Sequence, residues 1–396
     1  MPMLAGKRSG MRRPCRDRGP WPMGLTVLLV SALLSVPLFP GPARAETIRL
    51  GAILPLTGPA ARIGSGQMRA LRNAVEEANA LGDVLGHRIE IVFEDSAAKP
   101  AQAIAAFRTL MRTPRVEVIF VSYSGPALAL APLAARGRVL LVNAGAQADR
   151  LAVASPYLIN TIPGVGEEMA ALSRHLRARG QTRAAILYEN TAAGLSGRDA
   201  FAEAFAKAGG IIVAQEEHLF GEEDFTPALM KLAASGPEVV VVSITAGLPG
   251  LATEYRRLGL TFTVAGTGFF QDPALRDSGA AEGFVWARSR GDAFSAMPGG
   301  AMPSGAMPGG AGSGPSMDVA SPRYREAAHI VLSALRRSLM EGHPITGQTT
   351  RDMIFRMRAE RGPPPLTVRN NMVSASIDIV TIRDGVEIIL QSGRSE

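Results

Sequence analysis

The sequence predicts an α/β fold with two Rossmann-like lobes, in which parallel sheets are flanked by helices and a hinge joins the lobes. The first observation is a regular alternation of short apolar segments with longer helical segments between residues 48 and 142. The second is a similar series between residues 166 and 266, after the break at Ala154-Ser155-Pro156. Strands separated by helices are typical of βαβ units and of a parallel sheet covered on both faces. The length of 396 residues also favours about two domains.

Apolar runs predict the strands of both series, and the segments between them predict the helices. In the first series the strands are Ile48–Leu54, Ile89–Phe93, Val116–Val121 and Val139–Val142, with helices at 64–81, 98–112 and 126–136. In the second series the strands are Ala184–Tyr188, Ile211–Glu216, Val239–Val242 and Phe262–Gly266, with helices at 166–180, 197–208, 226–235 and 249–258.

The C-terminal third predicts two further helices and two closing strands. The helices are Arg323–Leu339 and 349–358, and the strands lie within 373–391 with Asp384-Gly385 as a hairpin turn. We expect an N-terminal lobe of residues 46–160 plus 289–372, and a C-terminal lobe of residues 161–288 plus 373–396. Carboxyl ends of parallel strands are where such sheets bind ligands, so the cleft between the lobes is the expected site.

The N-terminal segment 1–45 is expected to be a signal peptide. It contains seven Lys and Arg residues against one Asp, then the apolar run Gly24–Phe39, then Ala43-Arg44-Ala45 as a cleavage signal. The alternative is a membrane anchor, but the 16-residue run contains Pro37 and is short of the ~20 residues that a spanning helix needs. We therefore expect a periplasmic protein. The remaining 35 basic and 34 acidic residues nearly cancel, which argues against a nucleic-acid partner.

Catalytic and metal-binding signatures are missing from the sequence. Cys15 is the single cysteine and precedes the apolar run, so disulfides and cysteine nucleophiles are excluded from the mature chain. The five histidines are scattered, without the spacing of a metal site, and there is no nucleophile elbow or phosphate-binding loop. We expect no enzyme activity and no cofactor. A hydrolase or dehydrogenase is the alternative that these absences oppose.

Residues 289–316 repeat Ala-Met-Pro-Gly without apolar periodicity. Such composition predicts a flexible surface insertion. The alternative is a Cu(I)-binding track, because thioethers are ligands of that ion.

The segment 121–132, VSYSGPALALAP, predicts a ligand-binding elbow at the end of a buried strand. Proline favours the first helical position, which would make Gly125 the N-cap and leave the N–H groups of Ala127 and Leu128 without partners. With the Ser124 hydroxyl they would form an anion receptor. The alternative is that Ser124 satisfies a local turn. The next strand ends in another small-residue turn, 143–147, which favours the ligand-binding interpretation.

Five stretches carry a resemblance to a known family, and they run in order from Thr47 to Ala287: IRLGAILPLTGPAARIGSG, AVEEANALGDVLGHRIEIVFEDSAAKPAQAI, VSYSGPALALAPLAARGRVLLVNAGAQ, RAAILYENTAAGLSGRDAFAEAFAKAGGIIVAQE and DFTPALMKLAASGPEVVVVS. The chain resembles the leucine/isoleucine/valine-binding proteins, the periplasmic receptors of ABC importers. The resemblance implies the type I periplasmic-binding-protein fold and a solute held between the lobes.

The resemblance also implies the ligand-binding positions. Ser124 corresponds to the serine that holds the solute carboxylate, and Gly145 and Gln147 match the next turn. Ile63 replaces an aromatic cover, Ala193 replaces a tyrosine, and Gly268 falls where an acidic residue takes the ammonium group. The full expected set is Ile63, Tyr123, Ser124, Gly125, Ala127, Gly145 and Gln147 from the first lobe, and Glu189, Asn190, Ala193, Thr245 and Gly268 from the second.

The function that follows is capture of a small amphipathic solute by hinge closure and its delivery to an ABC transporter permease. A branched-chain or related amino acid is favoured, and an amide or small carboxylate is the alternative because the ammonium-binding acid is not matched. A monomer is expected. A sensor of the same fold and a degenerate receptor are further alternatives.

Overall fold

Two sheets, one of five and one of seven strands, are flanked by helices and make up the fold. The computed structural model describes residues 46–82, 84–289, 320–359, 371–372 and 375–393. The predicted signal peptide lies outside the described residues, and so does the Met-Pro-Gly insertion apart from Ser289. Among the described helices, none is long and apolar enough to cross a membrane.

The first sheet has five parallel strands in the order β2-β1-β3-β4-β5. Its strands are β1 (Ile48–Leu54), β2 (Ile89–Asp95), β3 (Val116–Val121), β4 (Leu140–Asn143) and β5 (Leu158–Asn160), and its helices are α1 (Ala61–Leu81), α2 (Pro100–Leu110) and α3 (Ser124–Gly137). The central strands are almost wholly buried, because helices cover both faces; continuous apolar runs are the sequence signature of such strands.

The second sheet has seven strands in the order β12-β11-β10-β9-β8-β6-β7. The strands are β6 (Arg183–Glu189), β7 (Ile211–His218), β8 (Val239–Ser243), β9 (Thr263–Gly266), β10 (Val285–Ser289), β11 (Ile377–Arg383) and β12 (Val386–Gln391). Its helices are α4 (Val165–Ala178), α5 (Ala192–Lys207), α6 (Thr226–Ala234), α7 (Leu248–Arg257) and the short α8 (Pro273–Asp277). The strands β11 and β12 pair antiparallel around Asp384 and Gly385, both at positive φ, as the predicted hairpin turn requires.

Two late helices return to the first sheet. The helix α9 (Ala320–Met340) packs along α1, and α10 (Gly347–Ala359) packs against α9, β3 and β4. Buried Tyr324 of α9 donates a hydrogen bond from its hydroxyl to the carbonyl of Val121, at 2.7 Å. This contact fixes the start of α9 beside the carboxyl ends of the first-sheet strands. We call the first sheet with α1–α3, α9 and α10 the first lobe, and the second sheet with α4–α8 the second lobe.

The sequence-based prediction of elements is confirmed for most of both lobes, with differences at helix starts and at short elements such as α8. The helix predicted at 197–208 begins earlier, at Ala192, because the Thr191 side chain accepts a hydrogen bond from the Gly194 N–H and caps it. Gly194 is needed there, since a Cβ would lie 2.2 Å from the Glu189 carbonyl oxygen. The short strands β5 and β10 were not predicted. Runs of three and five residues give little periodicity.

A buried asparagine pair organises the end of the first sheet. The Asn143 side chain donates to the Ala146 carbonyl at 2.7 Å and to Asn160 Oδ1 at 2.9 Å. Its Oδ1 accepts from the backbone N–H groups of Gly145, at 3.1 Å, and Ala146, at 2.7 Å. The Asn160 N–H in turn donates to the Asn371 carbonyl, so the end of β5 and the segment at residues 371–372 run side by side. Asn143 therefore shapes the turn that follows β4.

We predict that Asn143→Ala lowers the free energy of unfolding by at least about 2 kcal/mol, because it leaves several buried polar groups without partners. Urea denaturation would measure the change. The matched control is Gln215→Ala, which removes an exposed amide from β7 and should change stability by less than about 0.5 kcal/mol. Equal effects of the two substitutions would contradict this account of the turn.

Candidate functional site

A cavity of about 180 Å³ lies where the strand ends of the two lobes face each other. The two lobes contribute residues to it from opposite sides. From the first lobe these are Pro59, Arg62, Ile63, Gly145 and Arg323, and from the second lobe Thr245, Ala246, Gly247, Leu248, Pro249, Gly268, Phe269, Asp272 and Ala274.

The first-lobe wall is formed by the N-terminal turn of α1, the turn after β4 and the first described turn of α9. Ile63 presents an apolar surface, and Arg62 lies nearer the exterior with 53% of its side chain exposed. Gly145 is packed so closely that a Cβ would lie 3.1 Å from the Tyr324 ring. The turn and the helix are thus fitted to each other at the cavity wall.

The second-lobe wall is formed by the loops after β8 and β9. The loop after β8 is held by buried Glu189, which accepts hydrogen bonds from the Thr245 N–H at 2.9 Å, the Thr245 hydroxyl at 2.7 Å and the Ala246 N–H at 3.2 Å. Burial raises the pKa of Glu189, and these donors together with His218 oppose that rise. Glu189 therefore shapes the loop that lines the cavity.

Asp272 is engaged on both carboxylate oxygens. One oxygen accepts the Ala274 N–H at 3.0 Å and caps α8, and the other forms an ion pair with Arg62 across the cleft. This ion pair joins the first lobe to the second at the rim of the cavity.

Glu168 of α4 lies wholly buried between the lobes. Its carboxylate accepts the Gly268 N–H at 2.9 Å and the Gln147 side-chain amide at 3.2 Å, so it connects a first-lobe turn to a second-lobe loop. Burial raises the pKa of Glu168, while Gly268, Arg323 and Gln147 favour the charged form. Arg323 as a whole residue is partly buried. Its pKa is lowered by burial, an effect that Glu168 and Glu326 oppose.

A buried amide lies behind Gly145. Gln67 of α1 is 1% exposed, and its Oε1 has no hydrogen-bond partner within the described parts of the chain. The amide nitrogen lies 3.5 Å from where a Gly145 Cβ would be. Buried polar groups ordinarily have partners, so Gln67 is a polar feature close to the cavity wall.

The turn after β3 has a different geometry in the structure from the predicted elbow. The helix α3 begins at Ser124, two residues before Pro126, and its N-cap is Tyr123, at φ 66°. The prediction of Gly125 as N-cap with a free N–H on Ala127 is therefore wrong, since the Ala127 N–H donates to the Tyr123 carbonyl at 3.0 Å. Ser124 is 3% exposed, and its hydroxyl accepts the Ala148 N–H at 3.2 Å. This bond to the next turn fits the alternative, in which Ser124 satisfies local structure.

Four of the twelve expected residues line the cavity, namely Ile63, Gly145, Thr245 and Gly268. The side chains of Gln147 and Glu189 are buried and support lining loops. Asn190 accepts the Phe220 N–H at 3.1 Å, Tyr123 stacks edge-on against Phe220 at 5.9 Å, and Ala193 lies in the first turn of α5. These last residues lie beside the cleft and are not among the residues that line the cavity.

Sequence reasoning missed the charged residues Arg62, Glu168, Asp272 and Arg323. For Glu168 a signal exists, because it falls on the buried face of α4 with Val165 and Leu172, and a carboxylate on an apolar stripe is unusual. Arg323 is far along the chain from the other lining residues, so no local pattern could place it there. Among the described residues, no cluster of three His, Cys, Asp or Glu side chains could hold a metal ion.

Solved structures share this two-lobed architecture. A branched-chain amino acid ABC transporter protein from Thermus thermophilus with bound valine matches with a TM-score of 0.75 and 20% identity, over 88% of this chain and 97% of that chain. A solute binding protein of an ABC transporter from R. palustris, in complex with 4-hydroxybenzoate, matches with a TM-score of 0.69 and 20% identity, over 88% and 96%. At these identities the similarity concerns the fold, and it confirms the predicted type I periplasmic-binding-protein class.

Sequence comparison gives the family. The Leu/Ile/Val-binding protein homolog 3 of Brucella melitensis is 27% identical over 220 residues, which is 55% of this chain and 60% of the relative. The chain thus spans less than two thirds of the length of that curated relative. The family model described as periplasmic binding protein matches residues 47–365, well over half of the chain. The chain therefore belongs to the periplasmic binding protein family.

Proposed function

We propose that this chain is the solute-binding component of an ABC importer, which captures a small amphipathic solute by closing its two lobes. The observation that carries the proposal is the cavity at the facing strand ends, lined from both lobes. Ligands of open α/β sheets bind at such ends. Enclosure from two sides also gives a reason for hinge closure, because neither lobe alone surrounds the solute.

Three contacts support a closed arrangement of the lobes. The Arg62–Asp272 ion pair lies at the rim, the Gln147–Glu168 hydrogen bond lies in the interior, and the Tyr123 and Phe220 rings meet on the side of α3. We propose that these contacts form when residues 46–160 plus 289–372 close against residues 161–288 plus 373–396. The hinge then includes the paired segments at Asn160 and Asn371.

The proposed solute has a carboxylate and an apolar body. The two similar solved structures hold valine and 4-hydroxybenzoate, which share those features. The cavity volume of about 180 Å³ is close to the ~150 Å³ of an engineered apolar cavity that accepts one benzene ring. Burial of such a body would contribute roughly 1.5–3 kcal/mol.

The proposed setting is the periplasm, with an inner-membrane permease as the protein partner. The family and the expected signal peptide support this setting. We propose a monomer that acts by binding alone, without catalysis and without a nucleic-acid partner.

We predict that a panel of branched-chain amino acids and small carboxylates contains at least one solute that stabilises the mature chain. At a concentration of about 100 times Kd the stabilisation should be about 2.7 kcal/mol. Ala246→Trp should abolish it, because the indole would occupy the cavity that Ala246 lines. Thermal unfolding measures stabilisation, and small-angle X-ray scattering measures compaction on binding.

The matched control for this experiment is Ala206→Trp, which places the same side chain on the exposed face of α5. It should keep both the stabilisation and the compaction. Binding that survives Ala246→Trp unchanged would place the site elsewhere. A panel without any binding solute would overturn the proposed function.

A second prediction concerns pH and the carboxylate between the lobes. Because burial raises the folded-state pKa of Glu168, the folded chain binds more protons than the unfolded chain over an interval that begins near pH ~4.3. Stability therefore falls as pH rises through that interval. We expect the stability difference between wild type and Glu168→Gln to shift in favour of the variant as pH rises, as measured by urea denaturation.

The control is Glu203→Gln, on the exposed surface of α5. The Lys207 ammonium lowers the pKa of Glu203, so the sign of its small pH effect is opposite: stability present above the unfolded pKa is lost as pH falls. A flat difference between wild type and Glu168→Gln would contradict the raised pKa.

A further inference from the structure

Three ionisable side chains line the cavity within the described parts of the chain: Arg62, Asp272 and Arg323. Two are cationic and one is anionic, so the lining has a net positive charge. An α-amino acid carries one group of each sign, and a receptor for it needs a carboxylate available for the ammonium. Whether the lining carboxylate is available therefore decides the class of solute.

Asp272 is already committed to other partners. It caps α8 through the Ala274 N–H and pairs with Arg62, and only 14% of its side chain is exposed. An incoming ammonium would have to replace the Arg62 guanidinium. Arg62 is part of the same chain, so its pairing with Asp272 does not cost the translational freedom that a free solute loses on binding. Asp272 is thus poorly placed to select an ammonium group.

Glu168, whose carboxylate bonds the lining residue Gly268, does not itself line the cavity. It is fully buried, and its two oxygens accept hydrogen bonds from Gly268 and Gln147. An ammonium would have to break these bonds and separate the loops that they join. Both carboxylates near the solute are therefore occupied by the protein itself.

Arg323, in contrast to these two carboxylates, has few hydrogen bonds to the protein. Its guanidinium lines the cavity, yet the one hydrogen bond that it makes to a described residue is to the Ser289 hydroxyl, at a long 3.5 Å. A guanidinium has five N–H donors. Glu168 and Glu326 stabilise its charge, but within the described residues no hydrogen bond uses its other donors. The fork of an arginine matches a carboxylate in a two-bond geometry.

The rest of the lining is apolar except for Thr245, whose hydroxyl already donates to Glu189. Ile63 on the first lobe faces Leu248, Pro249 and Phe269 on the second, and the lining backbone N–H of Gly268 is already used by Glu168. Such walls accept a hydrocarbon body and offer an ammonium group no charged partner.

We propose that the solute is a small carboxylate with an apolar body and no ammonium group, and that Arg323 is the specificity-determining residue that binds its carboxylate. The inference rests on the proposed function and narrows its solute class. Arg323 approaches from the first lobe, and the apolar second-lobe loops close over the body of the solute.

Isothermal titration with paired probes tests the assignment. Benzoate with benzamide isolates the effect of the carboxylate charge, and 3-methylbutanoate with valine isolates the effect of the ammonium. We expect the wild-type chain to prefer the first member of each pair by at least about tenfold. Arg323→Gln should reduce the benzoate-to-benzamide preference to about onefold, because the donor is then neutral.

Two further variants separate the loss of a solute contact at Arg323 from a general effect of removing an arginine. Arg323→Gln combined with Glu168→Gln removes both charges, so that no buried carboxylate is left without its neighbouring cation, and the same loss of preference is expected. Arg337→Gln makes the same substitution on α9 at a residue that pairs with Glu341, away from the cavity lining; the wild-type preference should remain.

The outcomes distinguish failure of the Arg323 assignment from failure of the proposed solute-binding function. If valine binds at least as tightly as 3-methylbutanoate, or if both Arg323 variants keep the carboxylate preference, the Arg323 assignment is overturned while solute binding stands. If no probe and no member of the wider panel binds the wild-type chain, the proposed function fails as well.

Discussion

The architecture of the site depends on one buried carboxylate, Glu168. It is removed from water, which is costly for a charge unless hydrogen bonds and an opposite charge compensate. Gln147 from the first lobe, Gly268 from the second and the nearby Arg323 provide that compensation together. In the arrangement of the two lobes seen here this carboxylate is satisfied, and Arg323 lies close enough to stabilise its charge.

The polar groups around the cleft have two different roles: some hold the protein structure, and one has hydrogen-bond donors left for a solute. Glu189 holds the loop after β8, Asn143 holds the turn after β4, and Asp272 caps α8. These groups are occupied by backbone donors, so they give the cavity its shape. Arg323 has spare donors, and it is the group that could recognise a solute. A mostly apolar pocket in which a few placed polar groups fix the ligand is the usual basis of specificity in small-molecule sites.

The predicted elbow at Ser124 shows that a local sequence pattern can identify a turn without identifying the function of that turn. A hydroxyl next to a helix N-terminus satisfies both an anion receptor and a structural turn. The tertiary contact with Ala148 uses the hydroxyl within the protein. The positive φ of Tyr123 moves the start of the helix forward, which removes the free N–H expected on Ala127. The Ser124–Ala148 bond depends on a neighbouring loop, and the Ala127–Tyr123 bond depends on the exact residue at which the helix starts, so single-residue propensities could not predict either contact.

The sequence by itself determined the two α/β series, nearly all strand positions and the closing hairpin at Asp384-Gly385. These follow from apolar periodicity and turn residues, which act over a few neighbouring positions. The resemblance to the leucine/isoleucine/valine-binding proteins indicated the family and, together with the expected cleft at the strand ends, the lining residues Ile63, Gly145, Thr245 and Gly268. Only the tertiary structure brought Arg323 of α9 to Glu168 and Gly268, and paired Arg62 with Asp272. These charged residues are far apart in the sequence and come together only when the two lobes pack. A local sequence pattern therefore cannot predict that they are close in space.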